Sequence, residues 1–120
     1  NLPLLLRALE ADPSHVYCWT HLALIRRAHG NLGAAREALL TGISAARRRH
    51  PGPEQDALAF LELADLEQAE GGELRPILEE LLRLFPDNAQ GLLLRAQLNL
   101  KEGDVEAAAA ALAGSCLAKR

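Results

Sequence analysis

Apolar residues recur at helical spacing in seven stretches of the chain, and short polar or Gly/Pro-containing breaks separate them. The first stretch, LPLLLRALEA, stops at Asp12-Pro13, and either Asp12 or Ser14 is suited to cap the helix that follows. No stretch alternates with the period of two that is typical of a strand. The pattern therefore predicts seven helices, at about residues 2–11, 15–29, 33–50, 54–70, 75–85, 89–102 and 105–118.

Three of the breaks, at Gly30, Gly71 and Gly103, follow apolar stretches that resemble one another. A large apolar residue stands eleven positions before each glycine, and an alanine stands seven positions before it. Small side chains let two helices approach closely, and a large one fills the space between neighbouring pairs. Self-similarity of this kind is typical of a helical repeat array. The large residues are Trp19, Phe60 and Leu92, and the small ones are Ala23, Ala64 and Ala96.

These positions resemble the tetratricopeptide repeat (TPR) family, whose pattern runs Trp-x2-Leu-Gly-x2-Tyr, then Ala-x3-Phe, then Pro. The first unit has Trp19, Leu22, Ala23 and later Ala35, and residues 86–108 follow the pattern closely. The resemblance implies an all-α solenoid of antiparallel helix pairs. It also implies a fragment of a longer array, with adjoining repeats of the same chain as neighbours. The implied units are residues 1–13 (the end of a preceding repeat), 14–53, 54–85 and 86–120.

The chain departs from the TPR pattern in residue type and in spacing. Arg26 and Asn99 replace the usual Tyr, and Arg95 replaces the Leu. The step from Trp19 to Phe60 is 41 residues, against 32 from Phe60 to Leu92. We expect a longer second helix in the first unit, ending in an arginine run, to absorb the excess.

Two segments, residues 30–39 and 60–72, also resemble half-a-TPR (HAT) repeats, which are typical of RNA-processing assemblies. The aromatic residue, the aliphatic-Ala pair, the Glu and the Gly are present, but the usual Glu-Arg-Ala continuation is replaced by Leu-Thr-Gly. The TPR and HAT interpretations share one architecture, and both remain open at this point. The matching residues are Phe60, Leu63, Ala64, Glu67, Gly71, Ala35 and Arg36.

Composition and charge narrow the classes of partner. Leu and Ala dominate and aromatic residues make up 3%, which favours helices. The net charge of −3 gives no general attraction to nucleic acids or anionic membranes, and no apolar run is long enough to span a bilayer. Two cysteines without metal-binding spacing favour an intracellular protein, nuclear or cytoplasmic. We expect no cofactor, no metal and no membrane partner.

Candidate catalytic residues do not form a recognisable constellation. His15, Cys18 and His21 are spaced by three, so the third has rotated to another side of the helix, and surface His with buried Cys is the simpler interpretation. The many carboxylates alternate with apolar positions, as on a solvated face. The basic run at residues 46–50 is interpreted as a charged helix end, without direct RNA contact. We therefore expect a non-enzyme.

The TPR resemblance implies where a partner would bind, because the first helix of each repeat lines a concave groove in that family. The corresponding positions here are rich in Leu and lack the basic residues that clamp a peptide carboxylate. This favours a protein–protein interaction scaffold that binds an amphipathic or hydrophobic segment. The flanking repeats could instead cover some of these leucines. The predicted groove residues are Tyr17, Thr20, Leu24, Arg27, Leu58, Leu61, Asp65, Gln68, Gln90, Leu93, Gln97 and Leu100.

Overall fold

The computed structural model describes residues 2–102, which form six α-helices joined by short turns. The fold is an all-α solenoid of antiparallel helix pairs, and no strand occurs in this part of the chain. The seventh predicted helix, at residues 105–118, lies outside the described residues, as does the predicted break at Gly103. The helices are α1 (Leu2–Ala11), α2 (Val16–Ala28), α3 (Leu32–Arg48), α4 (Ala57–Ala69), α5 (Arg75–Leu84) and α6 (Ala89–Lys101), with a single 3-10 turn at Glu54–Asp56.

The helix ends follow from local sequence chemistry. Gly30 and Gly71 adopt φ of 79° and 75°, the left-handed conformation that ends a helix and that glycine adopts without strain. The side chain of Asn31 accepts a hydrogen bond from the Ala34 N–H at 3.3 Å, and this caps α3. Asn88 caps α6 in the same way through the Gly91 N–H at 2.8 Å.

The predicted N-cap of α2 is wrong, because the helix begins at Val16 and neither candidate cap directly precedes it. His15, rather than Asp12 or Ser14, is the N-cap, and its Nδ1 accepts from the Cys18 N–H at 3.3 Å. The Asp12 carboxylate instead accepts from the backbone N–H and the hydroxyl of Ser14, at 3.1 and 2.6 Å. These two hydrogen bonds lower the pKa of Asp12 and close the turn between α1 and α2.

Each helix packs against the next along the chain, and α2 also packs against α4. The repeated small and large positions lie where the helices meet: Ala23, Ala35, Ala64 and Ala96 are buried, and so is Phe60. Trp19 is partly buried against the same core. The first helices of the repeats (α2, α4 and α6) thus alternate with the second helices (α3 and α5).

Helices α2 and α3 lie close together where Gly42 meets Trp19. A Cβ atom built on Gly42 would stand 2.9 Å from the Trp19 Cβ and 3.7 Å from the Val16 carbonyl oxygen. Both atoms are held by the backbone of α2, so they cannot rotate away. Gly42 therefore sets the distance between the two helices, which explains a helix-weakening residue in the middle of α3.

Replacing Gly42 with Ala should lower the free energy of unfolding by about 1 kcal/mol, although Ala is the better helix former. Overpacking costs about 1–3 kcal/mol, against a gain in helix propensity of about 1 kcal/mol. The matched control is Gly33→Ala on the same helix, where an added Cβ meets nothing within 4 Å. This control should raise stability by about 0.5 kcal/mol. Urea unfolding measures the free energy of unfolding of both variants. Equal changes in the two variants would contradict a close approach at Gly42.

The long step between the first two units has a structural cause. Helix α3 has 17 residues whereas α5 has 10, and a loop and the 3-10 turn follow α3 before α4 begins. The Arg49 guanidinium closes this connection by donating two hydrogen bonds to the Asp56 carboxylate, one of them 2.8 Å long. Asp56 is only 2% exposed. The longer helix predicted for the first unit is therefore present, and a buried ion pair fixes the loop after it.

Several carboxylates are ion-paired between helices, which corrects the expectation of a solvated face. Arg36 on α3 pairs with Glu67 and Glu70 at the end of α4, each at 2.6 Å. Arg47 donates to Glu80 on α5 at 2.6 Å, and this hydrogen bond lowers the pKa of Glu80. The arginine run at the end of α3 therefore contains two residues, Arg47 and Arg49, that hold neighbouring elements of the array.

Candidate functional site

A cleft of about 280 Å³ opens between α4 and α6, with α5 behind it. Half of its lining residues are leucines, and the lining includes five of the residues predicted to line a groove: Leu58, Leu61, Asp65, Gln68 and Gln90. Four of these lie on α4, where positions three and four apart share one helix face. The predicted face of α4 thus lies along one side of this cleft.

The other predicted groove residues lie outside the lining of this cleft. On α2, Tyr17 and Leu24 are exposed, and the Tyr17 ring stands edge-on to His21 at 6.0 Å between ring centroids. On α6, the side chains of Leu93, Gln97 and Leu100 are exposed. These residues extend an accessible surface on either side of the cleft.

Thr20 departs from the predicted set, because it is buried with 4% exposure. Its hydroxyl donates to the Val16 carbonyl oxygen of its own helix at 3.1 Å. The side chain is short, and α2 is covered by α1, α3 and α4, so a residue in groove register does not reach the surface there. We therefore leave Thr20 out of the surface that a partner can contact.

The charged groups beside the cleft are partly neutralised within the chain. The Arg27 guanidinium on α2 donates to the Asp65 carboxylate on α4 at 2.6 Å. This pair joins two predicted groove residues across neighbouring repeats. Because Asp65 is largely exposed, the pair contributes only about 0–1 kcal/mol to stability, and it mainly sets the local charge.

Glu62 lines the cleft and was missed as a groove residue by the sequence pattern, which placed it among the solvated carboxylates. It is half-buried, and its pKa is raised, first by burial and then by the neighbouring Asp65, while Arg27 opposes the shift. Its spacing could have revealed it, since position 62 is four residues after Leu58 and shares its helix face. Leu94 on α6 and Leu74 before α5 were missed as well.

Trp19 and Cys18 on α2 lie in packed positions away from the cleft lining. The Trp19 indole N–H donates to the Pro13 carbonyl oxygen at 2.7 Å, while its Cβ lies over Gly42. Cys18 is half-buried, and burial raises the pKa of its thiol. Within residues 2–102, no group of three His, Cys, Asp or Glu side chains stands where it could hold a metal ion.

The comparison with protein families matches the C-terminal third of the chain. Residues 75–117 match the family model described as "Tetratricopeptide repeat", and the match begins at the first residue of α5 and includes all of α6. Residues 75–117 are thus similar to a tetratricopeptide repeat. No curated protein matches the chain. The HAT resemblance has no corresponding match and stays a prediction from the sequence.

Tetratricopeptide repeats generally mediate protein–protein interactions, typically as non-catalytic scaffolds. The cleft lies between α4 and α6, two helices that hold corresponding positions of the repeated pattern. No helix among residues 2–102 is both long enough and apolar enough to cross a membrane.

Proposed function

We propose that this TPR chain is a non-catalytic scaffold that binds an apolar or amphipathic segment of a partner protein in the cleft between α4 and α6. The observation that carries the proposal is that leucines from α4, α5, α6 and the residue before α5 surround one opening. These are Leu58, Leu61, Leu74, Leu78 and Leu94.

The size of the cleft favours side chains of a peptide over a cofactor. Its volume of about 280 Å³ is at the lower end of the ~300–1,000 Å³ of small-molecule pockets. Leu93 and Leu100 on α6 and Leu24 on α2 are exposed as well. A leucine-rich cleft with further exposed leucines on the neighbouring helices suits a segment that places one or two large side chains in the cleft and others beside it.

The contacts of the arginine run support a protein partner over an RNA partner. Arg47 pairs with Glu80, and Arg49 pairs with the buried Asp56. A phosphate backbone would have to compete with these carboxylates for both guanidinium groups. The proposal therefore keeps the RNA-processing scaffold only as an alternative drawn from the sequence.

Leu58→Asp should weaken peptide binding at least about tenfold while the chain stays folded. Leu58 is 41% exposed on the cleft wall, so a charge there remains solvated in the free protein but is buried by an apolar partner side chain. The matched control is Leu40→Asp on α3, since Leu40 is 47% exposed and does not line the cleft. Leu24→Asp and Leu93→Asp test the surface on either side of the cleft.

The measurement is selection of a random peptide display library on the full chain, followed by titration of the selected peptides. Circular dichroism verifies the fold of each variant. The proposal expects peptides that bind the wild type and Leu40→Asp but bind Leu58→Asp at least about tenfold more weakly, a loss of about 1.4 kcal/mol. Peptides that bind all three proteins equally would place the site elsewhere.

A further inference from the structure

Glu62 carries an unbalanced charge in the wall of the cleft. Its carboxylate makes no hydrogen bond and no ion pair with any residue that the structure describes. It is half-buried among leucines on the face of α4 that also carries Leu58. A carboxylate in such a place loses part of its hydration without gaining a partner.

The described residues that line the cleft include no cation, and the nearby Arg27, which opposes the rise in the pKa of Glu62, is already engaged by Asp65. Apart from Glu62, Asp65 is the only charged residue among them. Asp65 is paired with Arg27 at 2.6 Å, so that ion pair is close to neutral as a unit. The lining residues on α5 and α6 are Leu78, Gln90 and Leu94, and none of them is basic. The cleft therefore presents one net negative charge within an apolar surface.

The negative charge of Glu62 favours some apolar partner segments over others, according to the charge that the segment carries. An uncharged apolar segment would complete the desolvation of the carboxylate and leave it unpaired, which is unfavourable. An acidic segment would add repulsion. A segment with a cationic side chain would pair with the carboxylate in a partly desolvated site, where such a contact is stronger than at an open surface.

We infer that the partner segment carries a lysine or arginine flanked by large apolar side chains, and that Glu62 of the cleft pairs with this cation. The inference rests on the proposed function, because it names the chemistry of the segment that the same cleft binds. The leucines provide affinity through burial, and Glu62 selects among apolar segments by charge. Glu62 is thus a specificity-determining residue.

The experiment compares peptides selected from one random display library by the wild type, by Glu62→Gln and by Glu62→Lys. The wild type should enrich peptides in which Lys or Arg adjoins aliphatic or aromatic residues. These peptides should bind Glu62→Gln about tenfold more weakly, since one partner of a partly desolvated charge pair is lost. Glu62→Lys should enrich Asp or Glu in place of the basic residue.

The matched control is Glu37→Gln, which removes the same charge from an exposed position on α3 away from the cleft. It should leave the selection unchanged, so a general effect of net charge is separated from the local one. Peptides that depend on Leu58 but show no Lys or Arg preference would overturn this inference and leave the apolar cleft as the binding site. The absence of any selected peptide would overturn the proposed function, and this inference with it.

Discussion

Trp19→Ala should lower the free energy of unfolding by about 3 kcal/mol and the melting temperature by roughly 10 °C. Trp19 lies over Gly42 of α3, and its indole N–H donates to the Pro13 carbonyl oxygen. The substitution keeps the Cβ that lies against Gly42 but removes the indole ring that packs against the core, together with its hydrogen bond. The expected loss is near the lower end of the range for Trp truncation, since Trp19 is only partly buried.

Trp19→Phe separates the contribution of packing from that of the hydrogen bond. The Phe ring keeps most of the packing against the core but makes no hydrogen bond, so about two-thirds of the lost stability should return. Peptides that bind the cleft should bind the remaining folded Trp19→Ala protein with unchanged affinity at low temperature, because Trp19 does not line the cleft. If the folded Trp19→Ala variant bound these peptides more weakly, Trp19 would belong to the surface of this chain that the partner contacts.

Arg49→Ala should be about as destabilising, lowering the free energy of unfolding by about 3 kcal/mol. Asp56 is buried, and Arg49 is its ion-pair partner in the connection between α3 and α4. Removing the guanidinium leaves the carboxylate buried without its counter-charge, and this penalty exceeds that of losing an exposed pair. Chemical denaturation at neutral pH measures the loss.

Arg48→Ala is the matched control, because Arg48 is the exposed neighbour and makes no ion pair with the described residues. It should change stability by less than about 0.5 kcal/mol. The double variant Arg49→Ala with Asp56→Ala should recover part of the loss, since no uncompensated charge then remains. Equal effects of Arg48→Ala and Arg49→Ala would show that the arginine run acts only through its general charge.

The helices could be predicted within a few residues because their limits depend on local chemistry. Gly30 and Gly71 adopt the left-handed conformation that the pattern required, and Asn31 and Asn88 cap the helices that follow. The cap of α2 was the exception. Asp12 and Ser14 bond to each other, which leaves His15 to accept the N–H at the start of the helix.

The groove was predictable where one helix determines it and less so where several do. The register of α4 placed Leu58, Leu61 and Asp65 beside the same opening, because residues three and four apart share a helix face. The same register placed Thr20 on the surface, whereas three helices pack around α2 and bury it. A single helix pattern contains no information about how many neighbours cover its face.

The sequence by itself determined the approximate limits of the described helices, the repeated positions that are buried between helices and the all-α repeat architecture. These depend on residues near one another in the chain. Only the tertiary structure decided which charges remain unpaired, because Arg27, Arg36 and Arg47 find carboxylates more than thirty residues away. Once those pairs form, Glu62 is left with a net charge in the cleft. This is why a carboxylate that looks like part of a solvated face in the sequence becomes the candidate selector of partners in the fold.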